Sequence, residues 1–413
     1  MTEPILKPKR KNPLIRTRQP LLPPSARSRT AHGLTLAAAE GRFAIQRCAE
    51  CQKFTYPPRD ACPNCLSHRL IFIDAPDGGV LISETTVHIS SDSYFRERMP
   101  WRAGIILLDC GPRVIAHLHG DCVEGQRVTL ALQLDKSGQP VIFASPVSES
   151  ANMRDDPQWR EMTADPKYRR VLITDGRNAV GQALVKALKR AEAGKIFVGI
   201  ADPWKPFPDE AALRDTEGVE IVPLDLTDEQ SVTDLASDIG AKVDILINTA
   251  DHTRPGHIFA PGGARKLTEA LDITLLGAMR LAQAFGPVMQ SRGADGVNSA
   301  AAWVNVLSVY ALENLPAFGA LSVSHAACLS LSHWLRAELR AGGVKLMNAF
   351  TGPLETEWFQ TVPPPKVAPS ALADAIVDGL KRGLEEIYVG DVAKDIRERQ
   401  LANPKALERE IGQ

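Results

Sequence analysis

Cys48-Ala-Glu-Cys51 and Cys62-Pro-Asn-Cys65 are two C-x2-C pairs separated by ten residues, and no other stretch states its chemistry so specifically. Each pair turns tightly enough for both sulfurs to face one ion, and Pro63 and Asn64 are turn formers. Four thiolates at this spacing make the pattern of a structural zinc site with Cys48, Cys51, Cys62 and Cys65 as ligands. A catalytic zinc keeps an open coordination position, and four cysteines leave none. Disulfides or redox work fit less well, because seven cysteines are an odd number, the chain is near neutral and no signal peptide is read behind Met1. The zinc is expected to fold its surroundings and not to react.

Upstream of this stretch, residues 1–30 carry Lys7, Lys9, Arg10, Lys11, Arg16, Arg18, Arg27 and Arg29 with six prolines. Such a segment builds no core, and it reads as an extended arm, either solvated or laid over a partner subunit or an anionic ligand. From Thr30 to Arg47 the apolar spacing predicts a short helix leading into the cysteines. Downstream of Cys65 come short strand-like runs: Leu70 to Ile73, Val80 to His88, Ala103 to Asp109, Arg113 to Leu118, Gln126 to Leu132 and Val141 to Ala144. Turn pairs such as Gly78-Gly79, Gly111-Pro112 and Ser137-Gly138 separate them, the rhythm of a small antiparallel barrel of OB type.

Residues 148–168 are polar and without period, and they read as a linker. Beyond them compact apolar runs alternate with amphipathic segments: Val171 to Thr174, Lys195 to Ile200, Val219 to Pro223, Val243 to Asn248, Ala302 to Leu307, Lys345 to Phe350 and Glu386 to Val389. This alternation predicts a parallel, doubly wound α/β sheet of Rossmann type. The expected organisation is an arm over 1–30, helix and zinc ribbon over 31–70, barrel over 71–147, linker over 148–168 and α/β domain over 169–413.

The 413 residues suffice for two or three cores, and 44% hydrophobic with 23% charged residues is ordinary for a soluble chain. A formal net charge of -1 gives no pull toward nucleic acid, and no apolar run approaches a membrane span. A cytoplasmic location is expected.

Residues 30–148 resemble the rubredoxin-like zinc ribbons fused to an OB barrel that accompany thiolases and related acyl-CoA enzymes. The resemblance rests on Phe43-Ala-Ile-Gln-Arg-Cys48, the four cysteines and Pro100-Trp-Arg-Ala-Gly-Ile-Ile-Leu-Leu-Asp109. It implies a module that does not catalyse alone, docks on a thiolase-like partner and helps bind acyl-CoA.

Residues 169–400 resemble the short-chain dehydrogenase/reductase family through Val171-Leu-Ile-Thr-Asp-Gly-Arg-Asn-Ala-Val-Gly181, Leu224-Asp-Leu226, Asn248-Thr-Ala250, Ser308, Gly352 and Thr356. The family's first turn reads T-G-x3-G-x-G, its glycines serving a tight turn, approach to the pyrophosphate and close helix packing. Here Asp175 and Ala179 replace the first two and Gly181 remains. A carboxylate at the helix N-terminus competes with the phosphate, although Arg177 offsets its charge in part. The resemblance makes Asp202 a ribose contact, Asp225 an adenine-side contact and Asn248 part of the nucleotide site. Weakened NAD(P) affinity is the expectation, with the ADP part of coenzyme A as another occupant.

The family's Asn, Ser, Tyr and Lys map onto Thr274, Ser308, Leu321 and His325. Leucine has no proton to give, so the usual acid is absent and Ser308 is vestigial. His325 is a candidate substitute acid and Tyr310 another, with a packed helix residue the blander reading of His325. His117 and His119 share a strand face without a third ligand, and Cys110, Cys122 and Cys328 read as ordinary small residues. Pro363 to Pro365 fit a lid or a docking surface. Lys394 to Glu410 reads as a solvated helix.

The sequence thus points to a non-autonomous, catalytically inactive subunit of an acyl-CoA-processing complex. Its self-association is expected through Lys266 to Met289 and Val323 to Ala341. The alternative is an NAD(P)-dependent dehydrogenase or reductase for a hydroxyacyl- or ketoacyl-CoA.

Overall fold

The computed structural model describes residues 2–10, 20–26, 28–202, 204–294 and 299–411. Lys11, Arg16, Arg18 and Arg27 of the expected arm lie outside them. The chain divides into two compact units, one of residues 1–7, 21–164 and 381–384, the other of 8–20, 165–380 and 385–413.

In the first unit the helix before the cysteines ends earlier than the sequence suggests. It spans His32–Glu40, and Gly41 caps it at φ 71°, a left-handed conformation that glycine adopts without a Cβ penalty. Phe43 onward is therefore extended, and β1 (Ala44–Cys48) carries the first cysteine. It pairs antiparallel with β2 (Phe54–Thr55) and β3 (Leu70–Asp74). The run at Leu70, expected in the barrel, instead completes this three-stranded ribbon sheet.

The barrel is closed by β4 (Gly78–Val87), β5 (Trp101–Leu108), β6 (Arg113–Leu118), β8 (Pro140–Pro146) and β7 (Arg127–Leu134), in that order. Along β5, β6 and β7 alternate residues such as Ile106, Leu108, Val114, Leu118 and Leu130 are buried, the period of two that fills a barrel interior.

The stretch expected as a linker is partly structured. A helix spans Pro157–Met162, capped by Asp156, whose side chain accepts from Trp159 N–H at 2.8 Å. Trp159 meets Phe143 edge-on at 5.1 Å, and Glu161 accepts from Tyr94, Arg98 and Lys136. A few well-placed contacts outweigh the low hydrophobicity of the segment.

The second unit holds a seven-stranded sheet ordered β11-β10-β9-β12-β13-β14-β15. The strands are β9 (Arg170–Ile173), β10 (Lys195–Ile200), β11 (Val219–Pro223), β12 (Ile245–Asn248), β13 (Ala302–Ser308), β14 (Lys345–Thr351) and β15 (Glu386–Val389), all parallel. Ile245, Leu246 and Ile247 are fully buried, as strands covered by helices on both faces must be. The strand order reverses between β9 and β12. Ligands of open α/β sheets bind at the carboxyl ends of the strands beside such a reversal.

Candidate functional site

The crevice at the ends of β9 and β12 is occupied by the chain's own hydrogen bonds. Asp175, just past β9, accepts from Arg177 N–H at 2.8 Å and from Asn178 Nδ2 at 3.0 Å. Asn178 caps the Ala179–Arg190 helix, its Oδ1 accepting from Gly181 N–H at 2.7 Å. Its amide also donates to Thr249 O, beyond β12, at 3.1 Å, and Thr249 Oγ1 donates to Asp175 O at 3.2 Å. Burial pushes the Asp175 carboxyl above its ordinary value, against the bonds from Arg177 and Asn178. Two amides at this helix start, those of Arg177 and Gly181, are thus engaged internally. Gly181 keeps its packing role, since a Cβ there would meet Asp175 O at 2.0 Å.

The other residues expected on the nucleotide side also have partners within the chain. Arg177 pairs with Asp202 at 3.2 Å. Asp225 Oδ1 accepts from Thr227 N–H at 2.9 Å and from its hydroxyl at 2.7 Å. Asn248 is buried and its Oδ1 accepts from Thr174 Oγ1 at 3.0 Å, joining β12 to β9.

At the position of the family's acid, Leu321 is core. It packs with Phe318 and Phe359, whose rings stack at 5.0 Å, and with Leu354 and Val362. The segment leading to Pro363 is thereby anchored at Phe359 and Val362. His325 is buried one helical turn on, in the Gly319–Leu339 helix. Its Nδ1 accepts from Ser308 N–H at 3.0 Å and its Nε2 faces Asp251 Oδ1 at 3.3 Å. An acceptor at Nδ1 leaves the proton of the neutral ring on Nε2, pointing to the carboxylate. Partial burial alone would raise the Asp251 carboxyl, but the bonds from His325 and Thr253 outweigh it and hold it below its ordinary value.

Ser308 Oγ accepts from Tyr310 N–H at 3.2 Å and so caps a short turn. Tyr310 packs among Ala393, Ile396 and Leu407, and burial raises its hydroxyl pKa. Thr274 lies in a π-helical stretch, Leu271–Leu276, its hydroxyl donating to Ala270 O at 2.5 Å. Ser308 and His325 come together through a backbone amide, and Tyr310 turns to a different core. Asp251, Asn178 and Thr249 escaped the sequence reading. Asp251 follows directly on Asn248-Thr-Ala250, where a charge at a strand's carboxyl end is the available signal.

In the first unit, Cys48, Cys51, Cys62 and Cys65 place their sulfurs within 4.8 Å of one another. The Cys48–Cys65 and Cys51–Cys62 separations are each 3.6 Å, far beyond a disulfide bond of about 2.0 Å. A Zn–S bond of about 2.3 Å gives a tetrahedral edge of about 3.8 Å, so the donor set fits zinc. A backbone bond from Lys53 leads the causes that bring the Cys51 thiol down to about 6, while Cys65, despite a backbone bond from Ser67, is pushed the other way by burial and its sulfur neighbours. His117 accepts from Trp101 Nε1 at 2.8 Å, while His119 is buried and contacts Met153 O at 2.7 Å. Among the described residues no other cluster has metal-ligand spacing, and no helix is long and apolar enough to cross a membrane.

Residues 169–366 match the short chain dehydrogenase family. Residues 37–70 match the ChsH2 rubredoxin-like zinc ribbon domain, and residues 73–133 the ChsH2 C-terminal OB-fold domain. The chain is 33% identical over 157 residues to short-chain dehydrogenase PC-15 of Penicillium crustosum, covering 36% of this chain and only 54% of that relative. Identity to short-chain dehydrogenase ptmH of Penicillium ochrochloron is 31% over 202 residues, 47% of this chain and 68% of the relative. A crystal structure of a short chain dehydrogenase from Burkholderia cenocepacia in complex with NADP superposes with a TM-score of 0.54 at 28% identity, covering 60% of this chain and 98% of that one. Strand order and sequence identity agree: the chain belongs to the short-chain dehydrogenase family, with a ChsH2-type zinc ribbon and OB-fold ahead of its dehydrogenase domain.

Proposed function

We propose that this chain is a non-autonomous subunit of an acyl-CoA-processing complex, its dehydrogenase domain serving as a scaffold without hydride chemistry. The observation that carries the reading is the pair Leu321 and His325: one is core, and the other is held between Ser308 N–H and Asp251. An imidazolium at His325 would set two N–H groups against each other at Nδ1, and a neutral Nε2–H is a weak acid. Neither form replaces a tyrosine supported by lysine. The web of Asp175, Asn178 and Thr249 supports the same reading from the cofactor side, because its bonds compete with a pyrophosphate for the same amides.

In this account the zinc ribbon and barrel serve a thiolase-like partner that performs the carbon-carbon bond chemistry, and they contribute to acyl-CoA binding. The Gly277–Ser291 and Gly319–Leu339 helices provide self-association, consistent with Trp334 standing 57% exposed on the second of them. Co-expression with a thiolase-like subunit from the same source, followed by affinity capture and an acyl-CoA cleavage assay, tests the assignment. Copurification with activity confined to the pair supports it; cleavage by this chain alone overturns it.

The NADP-bound relative favours a second reading, an NADP-dependent reductase of an acyl-CoA. Arg177 at the first turn is the cation such a cofactor would meet. That reading requires the Asp175 web to open and an acid other than Leu321.

A further inference from the structure

We infer that residues 353–367 form a lid latched shut over the carboxyl ends of β13 and β14, and that Leu321 is the seat of the latch. The segment leaves β14 through Gly352 and runs to the Pro369–Arg382 helix. Its neck is zipped: Val367 N–H donates to Pro353 O at 2.8 Å, and Glu355 N–H donates to Val367 O at 2.9 Å. Val367 is buried against Gly390, where a Cβ would meet its Cγ2 at 2.4 Å. Tying the neck shortens the loop that contacts at the tip must order.

Beyond the neck the segment reaches the loops after β13 and β12. Phe359 is buried and stacks on Phe318, in the loop after β13, with 5.0 Å between ring centroids. Leu354 and Val362 join the same cluster, with Leu321 and Leu315 facing them. Trp358 holds the Arg254 guanidinium, from the loop after β12, at 3.7 Å over its ring. Burying a phenylalanine outweighs a cation–π contact on a tryptophan that is 38% exposed, so the apolar seat is the stronger tie. The residue type at 321 decides whether that seat is continuous. A tyrosine there, as in the family, would set a hydroxyl among Phe318, Phe359 and Val362, and an apolar surrounding disfavours a hydroxyl without a partner. Leucine therefore removes the acid and makes the latch in one substitution. Ser308 and His325 are 7% and 4% exposed, so the positions of the family's serine and lysine are closed to a substrate.

The inference rests on the scaffold reading and gives it a cause, a crevice shut by the chain itself. Hydrogen–deuterium exchange of the full chain reads it directly, because local opening exposes amides without global unfolding. The amides of residues 354–367 are expected to be protected in the parent, and equally so with NADPH and a ketoacyl-CoA added. Phe359→Ala should speed their exchange on the order of thirtyfold or more, Leu321→Tyr about tenfold and Trp358→Ala about threefold. Exchange in β13 and β14 should stay as in the parent, which records an intact fold. Lid amides that exchange in the parent as fast as an unfolded chain overturn the proposal. So does slower exchange on adding the nucleotide and thioester, for then the lid closes on a ligand. Acceleration of lid and strands together in all three variants also overturns it, since the segment would then be core and not a latch. An unprotected lid in a chain that still neither binds nor oxidises NADPH would sink the latch and leave the scaffold reading standing, so the two fail separately.

Discussion

His325 Nδ1 accepts the backbone hydrogen of Ser308 at 3.0 Å, so the residue in the lysine position of a dehydrogenase acts as a clasp between helix and strand. Removing the ring leaves a buried N–H without its partner. His325→Ala is expected to cost about 2 kcal/mol in urea unfolding. Asp251→Ala should cost less, about 1 kcal/mol, because the Asp251 side chain is 38% exposed and its pairing is screened. A His325→Ala variant as stable as the parent would mean that the clasp contributes nothing.

Restoring the missing acid alone should not restore chemistry. Leu321→Tyr/His325→Lys is expected to remain silent with NADPH, because Arg177 and Gly181 still give their amides to Asp175 and Asn178. Adding Asp175→Gly frees one amide and removes the charge that opposes phosphate. A thermal shift with NADPH is expected only in variants carrying Asp175→Gly.

Metal removal should unfold the ribbon and leave the dehydrogenase domain's sheet intact. The purified chain is expected to hold about one zinc per molecule, lost in Cys51→Ser and on treatment with a strong chelator. Circular dichroism after chelation should retain the helical signal, which arises chiefly in the second unit. Full metal content in Cys51→Ser would contradict the four-sulfur site.

Acid should weaken the first unit through Glu161. Burial would raise this carboxyl, but Lys136 and then Arg98 outweigh it and hold it at about 2, against about 4.3 in an unfolded chain. A depressed folded value means that the stabilisation is complete above about pH 4.3 and fades as pH falls toward 2. Glu161→Gln should cost about 2 kcal/mol at neutral pH, since it strands both cations, and the difference from the parent should shrink on acidification. A pH-independent difference would assign the loss to packing.

The elements whose residues repeat with a period were readable from the sequence. All seven strands of the second unit and the barrel strands appear near their expected places, because β-branched and aliphatic runs such as Ile245 to Ile247 have no other stable environment. The ligand cysteines were readable because spacing alone brings C-x2-C pairs to one point. What stayed hidden depends on contacts between distant residues. His325 and Asp251 are 74 positions apart, and Glu161 gathers Tyr94 and Arg98 from one segment and Lys136 from another. The helix at Pro157–Met162 was hidden for the same reason, its apolar anchors being Trp159 and Met162 packed with Phe143 and Trp101. Leu321 was read as a lost acid; that it joins a core with Phe318 and Phe359 needed the fold.

The most direct test of the scaffold assignment is a pair of readings on the unmodified chain: its thermal stability with millimolar NADPH, and the absorbance of NADPH over time with an acyl-CoA present. A ligand of the native state raises the apparent melting temperature by mass action. The account predicts an unchanged melting temperature and no loss of NADPH across a panel of ketoacyl thioesters. A clear rise with NADPH, accompanied by thioester-dependent oxidation of the nucleotide, would contradict it and make this chain a reductase.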